Sequence, residues 1–233
     1  MNMARLAILV AVVAWMAGCT TPLTGSPDTG STPDVGSTPD VGSRPDTGST
    51  PDTGSTPDTG AGALDCASYC TRIMAACTDA NAQYSTLDSC MGVCAGFTAV
   101  GTSTDTSGDT LGCRLYHAGA AAAGAAAATT HCPHAGPTGG DLDPAGTAGV
   151  CGEPCTAFCS VATAVCPSQF ASAAVCMSAC RTFRADSAPY GTADTARNDL
   201  GCRFYHLSAA ASDAALAATH CPHIVASSPV CTQ

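Results

Sequence analysis

The chain is written twice. Cys113-Arg114-Leu115-Tyr116-His117 is followed, after thirteen residues, by His131-Cys132-Pro133-His134. The pattern returns as Cys202-Arg203-Phe204-Tyr205-His206 and His220-Cys221-Pro222-His223, with the same Cys-to-Cys spacing. Self-similarity at a fixed period means two copies of one structural unit. The first copy holds Cys66, Cys70, Cys77, Cys90, Cys94, Cys113, Cys132 and Cys151. The second holds Cys155, Cys159, Cys166, Cys176, Cys180, Cys202, Cys221 and Cys231. Only Gly152, Glu153 and Pro154 separate them, so we place the first repeat at 63–152 and the second at 153–233. A joint this short is expected to limit relative motion.

Within each copy the cysteines carry a helical period. Cys66/Cys70 and Cys155/Cys159 lie four apart, and Cys77 and Cys166 follow seven residues on, which puts all three on one helix face. A second Cys-x3-Cys follows at Cys90/Cys94 and Cys176/Cys180, with an N-cap on offer within Ser85-Thr86-Leu87-Asp88. Two such helices can be stapled as an antiparallel hairpin. Antiparallel order predicts Cys66–Cys94, Cys70–Cys90, Cys155–Cys180 and Cys159–Cys176. The geometry is similar to the twin Cys-x3-Cys hairpins of small mitochondrial intermembrane-space chaperones, a convergence, since the rest of the chain does not match them. Asp109–Ala123 and Asn198–Ala211 read as a further Ala-rich helix. A fourth follows in each copy, broken from it at Gly124 or capped by Ser212-Asp213, and ended by Pro133 or Pro222. The expected fold is all-α: tandem small disulfide-rich helical domains of about four helices each, after a disordered linker.

Alanine dominates these helices and aromatics are few, so the core of each small unit is thin. Disulfides then decide whether it folds, each contributing about 2–4 kcal/mol by restricting the unfolded chain. For Cys77, Cys113, Cys132 and Cys151, and for Cys166, Cys202, Cys221 and Cys231, three pairings are open in each repeat.

The seventeenth cysteine, Cys19, stands apart. Arg5 and the apolar run Leu6–Met16 precede Met16-Ala17-Gly18-Cys19, and the run is too short to span a bilayer. Small residues before a cysteine resemble the lipobox of bacterial lipoproteins. That resemblance implies a signal peptide at 1–18 and a diacylglyceryl group on the Cys19 sulfur. It further implies a membrane partner through the lipid, and a place in the bacterial cell envelope, at the outer membrane. Export to an oxidising compartment makes the other sixteen cysteines a disulfide framework. Residues 19–62 are a spacer, with Pro33, Pro39, Pro45, Pro51 and Pro57 six residues apart. It buries almost nothing and is expected to be disordered. Roughly forty such residues span about 35 Å as a coil and about 130 Å fully extended. Similar Thr-Pro-Asp-Gly spacers occur in surface lipoproteins of myxobacteria.

The net charge of −10, without a single Lys, excludes nucleic acid and anionic lipid headgroups as partners. All six histidines fall in two triads: His117, His131 and His134, and His206, His220 and His223. A bond between Cys113 and Cys132 would gather the first three at one place. Three histidines at one place suit Zn or Cu. The competing reading is structural, with imidazoles packed beside a disulfide or capping helix carbonyls. If a metal binds, the ring nitrogens should lie within roughly 4 Å of one another and aim inward. Asp105, Asp109, Asp141 and Asp143 lack the loop pattern of a calcium site. Arg114 and Arg203 suggest solvated or carbonyl-capping side chains. No Gly-x-Ser-x-Gly, phosphate loop or Cys-x2-Cys is present, so no enzyme is expected. The expected function is a membrane-anchored envelope module with a binding or structural role toward an unidentified extracytoplasmic ligand. The alternative is Zn or Cu binding or sequestration by the triads; an envelope enzyme ranks third. An adhesion-type module would expose variable loops such as 135–150.

Overall fold

The structure is a computed structural model that describes residues 63–144, 149–185 and 188–232. The leader, Cys19 and the spacer lie outside the described residues, all of which fall in one compact unit. Eight α-helices are present among them, four per repeat: α1 Cys66–Ala76, α2 Leu87–Cys94, α3 Leu111–Ala121 and α4 Ala125–Ala135, then α5 Pro154–Val165, α6 Ala173–Cys180, α7 Leu200–Ala210 and α8 Ala214–His220. The described residues contain no strand, only an isolated bridge between Gly149 and Gly152.

Short polar residues start most of these helices by accepting a free N-terminal N–H. Asp65, Thr110, Asp199 and Asp213 each accept from the residue three ahead. Thr86 and Ser89 form a reciprocal capping box at α2. Glu153 caps α5, with Pro154 at its first turn, where a missing N–H costs nothing. Gly124 starts α4 with φ at +132°, a conformation closed to bulkier residues.

All sixteen described cysteines are bridged, each within its own repeat. Cys66–Cys94 and Cys70–Cys90 staple α1 to α2, and Cys155–Cys180 and Cys159–Cys176 staple α5 to α6. The open pairings resolve identically in both copies. Cys77–Cys132 and Cys166–Cys221 tie the end of the first helix to the start of the histidine turn. Cys113–Cys151 and Cys202–Cys231 tie the third helix to the repeat's exit.

At the centre of the first repeat, Tyr69 sets its ring edge-on to Tyr84 and Phe97. Its hydroxyl meets Tyr84 Oη at 2.8 Å and donates to Ala135 O at 2.7 Å. The corresponding pair in the second repeat is Phe158 and Phe170, edge to face at 6.3 Å, with both hydroxyls gone. Beside each centre lies a buried arginine. Arg114 lies 4.3 Å over Phe97 and pairs with Asp109 at 2.8 Å. Arg203 lies 4.1 Å over Phe183 and donates to Asp199 O at 2.7 Å.

Three expectations are corrected. For the arginines carbonyl capping holds, with Arg114 donating to Thr110 O and Arg203 to Asp199 O, but solvation does not: both are under 2% exposed, because aromatic rings and helix-start oxygens take their cationic planes out of water. Pro133 does not end α4, which runs on to Ala135; Gly136 N donates to Cys132 O, and the Cys77–Cys132 bridge anchors that turn. In the second copy the α-helix does stop at His220, and Pro222 sits in a 3₁₀ turn, Cys221–His223. The segment after α4 is not an exposed loop. Ala135, Thr138 and Leu142 are buried, and Tyr69, Gln83 and Cys155 pack along it.

The repeats meet through α2 of the first and α5 and α7 of the second. A Cβ on Gly92 would fall on the carbonyl oxygen of Ala211, and one on Gly96 would sit 3.0 Å from Val161 Cα. Gln83 Nε2 donates to Tyr190 O at 3.1 Å, and Thr192 N donates to Ala82 O at 3.1 Å.

Candidate metal centre

Each histidine triad is assembled by a helical hairpin. His117 sits on α3 one turn after Cys113. His131 and His134 lie on the facing side of α4, either side of the Cys132 bridge to α1. His206, His220 and His223 repeat this with α7, α8 and the 3₁₀ turn. The structure brings together all three residues of each triad, but not through a Cys113–Cys132 bond. Cys113 is bonded to Cys151, and the packing of α3 on α4 makes the convergence instead. The Cys113–Cys151 and Cys202–Cys231 sulfurs also lie beside His117 and His206. Bonded to each other, they are not thiolate ligands.

The geometry is the same in both copies. His117 Nδ1 lies 2.9 Å from His131 Nδ1, and His206 Nδ1 lies 2.8 Å from His220 Nδ1. His223 Nδ1 is 3.2 Å from His206 Nδ1. Within each triad one ring nitrogen of every histidine lies within 4.8 Å of the others. His117 Nε2 donates to Thr106 O at 3.2 Å and His206 Nε2 to Thr195 O at 3.1 Å. A carbonyl oxygen only accepts, so Nε2 carries the proton and Nδ1 of the neutral ring presents its lone pair to the cluster. This is how metal-binding histidines are held, the outer N–H fixed on a backbone oxygen. Three nitrogens around one tetrahedral ion, at bonds of about 2.0–2.1 Å, stand about 3.3 Å apart. The three contacts of 2.8–3.2 Å lie close to that spacing.

Four of the six rings are also pushed toward their uncharged form. Burial pushes the His117 and His134 imidazoles below their usual range, and neighbouring rings of the triad push them further. Burial likewise lowers His220, and lowers His206 to about 4 despite the opposing Thr195 carbonyl. His117 and His206 are buried, while the other four rings are half-exposed and give the site its opening. No carboxylate joins either cluster among the described residues, so the donor set is three imidazole nitrogens.

For a histidine kept neutral by folding, stability is complete above the unfolded value near 6.5 and is lost as pH falls through the folded value. The metal-free protein is therefore expected to hold a constant melting temperature above pH 6.5 and to lose stability between 6.5 and about 4. His206→Asn should flatten that fall in a pH series of thermal melts.

The Thr106 and Thr195 carbonyls were missed by sequence reasoning, although each precedes its histidine by the same eleven residues. That shared spacing was the available signal. Gly140 was missed too: a Cβ there would lie 2.6 Å from His134 Cδ2, so the glycine lets the chain close over that ring.

The fold and site together define a class of module: a disulfide-stapled helical hairpin and a second hairpin bridged to it, which carries a histidine triad. Residues 63–151, which hold the whole first repeat, match the family model of the BfoA family C-terminal domain. No curated protein and no solved structure matches the chain.

Proposed function

We propose that the protein is an exported lipoprotein that binds one transition-metal ion, Zn²⁺ or Cu²⁺, in each repeat. The ligands are the Nδ1 atoms of His117, His131 and His134, and of His206, His220 and His223. The lipobox-like Met16-Ala17-Gly18-Cys19 supports attachment through acylated Cys19, and the Pro-Asp-Gly spacer then acts as a tether that holds the two modules off the membrane. The outer membrane of a bacterial envelope is the place this reading assigns.

One observation carries the metal assignment: three ring nitrogens converge twice in one chain, on one plan. His134 Nδ1 adds to it. It is buried and has no hydrogen-bond partner among the described residues. A buried polar atom left unpaired costs about 1–3 kcal/mol, and a bound cation removes that cost.

Titration of chelator-stripped protein with Zn²⁺ by calorimetry is expected to give two equivalents per chain. His131→Ala with His220→Ala should abolish high-affinity uptake at both, with the helical spectrum retained. Failure of the stripped parent protein to take up Zn²⁺ or Cu²⁺ would leave the triads as packing groups.

A further inference from the structure

The contact between the repeats is head-to-tail. The first repeat contributes α2 and the turn before it; the second contributes the face formed by α5, α7 and residues 190–192. A contact of this type does not close on itself and leaves one of each face over. Aligning Cys70 with Cys159 and Cys113 with Cys202 identifies the receiving face left over on the first repeat. There Arg72 stands for Val161, Ser103 for Thr192, Gly119 for Ser208 and Ala122 for Ala211. In the second repeat Val161 is buried against Gly96 of the neighbour, at 1% exposure, and Ser208 is buried too, at 3%. In the first the same face is open, as two adjoining hollows of about 940 and 380 Å³ that meet at Arg72. They are walled chiefly by alanine and glycine.

The inserting face left over on the second repeat is altered. Aligning Cys90 with Cys176 puts Ser178 and Thr182 where the first repeat has Gly92 and Gly96. Both are exposed. Gly92 admits no Cβ against the Ala211 carbonyl, so Ser178 cannot seat in the same way against Ala122. Gln169 still stands where Gln83 donates across the contact. One end of the tandem is thus blocked at two positions while the other keeps a shaped recess. Arg72, half-buried where these hollows meet, makes no ion pair among the described residues.

We propose that the α1–α3 groove of the first repeat is a docking surface for a disulfide-stapled helical hairpin of another protein of this module class. That hairpin carries glycine at both positions corresponding to Gly92 and Gly96, and a carboxylate that meets Arg72. The chain's own α6 is barred from the groove by Ser178 and Thr182. The proposal does not depend on metal binding.

The full chain can be turned into its own probe. Restoring the glycines with Ser178→Gly and Thr182→Gly, and giving the groove the second repeat's apolar residue with Arg72→Val, recreates the internal contact between molecules. In sedimentation velocity this triple variant is expected to form dimers and longer species at concentrations where the parent protein is a monomer. Adding Gly119→Phe, which fills the groove, should return it to monomer. The glycine double variant that keeps Arg72 should associate more weakly, because the cation then has no counter-charge. Circular dichroism and a mass consistent with all eight bridges check that each variant is folded. A triple variant that stays monomeric while folded overturns the docking surface. Parent protein that self-associates and is dispersed by Gly119→Phe overturns the glycine requirement, and equal association with and without Arg72 overturns the carboxylate.

Discussion

Complete reduction of the protein is expected to abolish its cooperative thermal transition and most of its helical circular dichroism. Each repeat depends on a core of alanines and a few rings around Tyr69 or Phe158, and such a core supplies little net stability by itself. The bridges carry the difference. The widest span 55 residues, Cys77–Cys132 and Cys166–Cys221, and closing a loop of that length in the unfolded chain is worth about 4 kcal/mol each. Replacing both Cys77 and Cys132 with Ala should therefore lower the unfolding free energy by roughly 4 kcal/mol. Cys132 is fully buried between His131 and His134, so the same variant should lose the first of the two zinc equivalents and keep the second. Chemical denaturation and calorimetry on one preparation test both halves. A double variant as stable as the parent would mean that the apolar core, not the staple, holds α4 in place.

Gly92→Val is expected to have the second large effect. Its Cβ would occupy the position of a backbone carbonyl oxygen, which cannot rotate away as a side chain can. Either α2 retreats from α7 or the repeats separate, at a cost of about 1–3 kcal/mol or more. Each repeat keeps its own four bridges and its own triad, so the metal stoichiometry should stay at two while the interface opens. Separation would expose the joint at 152–154 to protease and free Gln83 from Tyr190. Ser178→Val at the matching exposed position is the control and should stay within about 0.5 kcal/mol of the parent. Equal protease resistance in the two variants would mean that α2 tolerates displacement without loss of the contact.

What could be read ahead of the coordinates follows physical range. Helix positions are a local matter of cap residues and spacing: Thr86, Asp199 and Asp213 mark helix starts because short polar side chains compete for nearby N–H groups. The order of the twin Cys-x3-Cys pairs is nearly local too, since it needs only the antiparallel sense of two adjacent helices. The partners of Cys77, Cys113 and their counterparts depend on how α4 folds back over α1, a contact across 55 residues that no short window contains. The triads show the same divide. Their members stand out as the chain's only histidines, but Thr106 and Thr195 act through backbone carbonyls, and only their shared eleven-residue spacing from the histidine hints at them. The buried arginines defeat composition because Arg is ordinarily a surface residue. Only the ring of Phe97 or Phe183 and the helix-start oxygens make burial tolerable.

The paired hydroxyls of Tyr69 and Tyr84, absent together at Phe158 and Phe170, have a historical consequence. Single-step routes between the two states differ: Tyr69→Phe first strands the Tyr84 hydroxyl in an apolar centre, whereas Tyr84→Phe first leaves the Tyr69 hydroxyl donating to Ala135 O. The two sites are therefore epistatic, and the order of substitution matters. Tyr69→Phe alone in the first repeat should carry that unpaired hydroxyl, whereas Tyr69→Phe with Tyr84→Phe transplants a working centre.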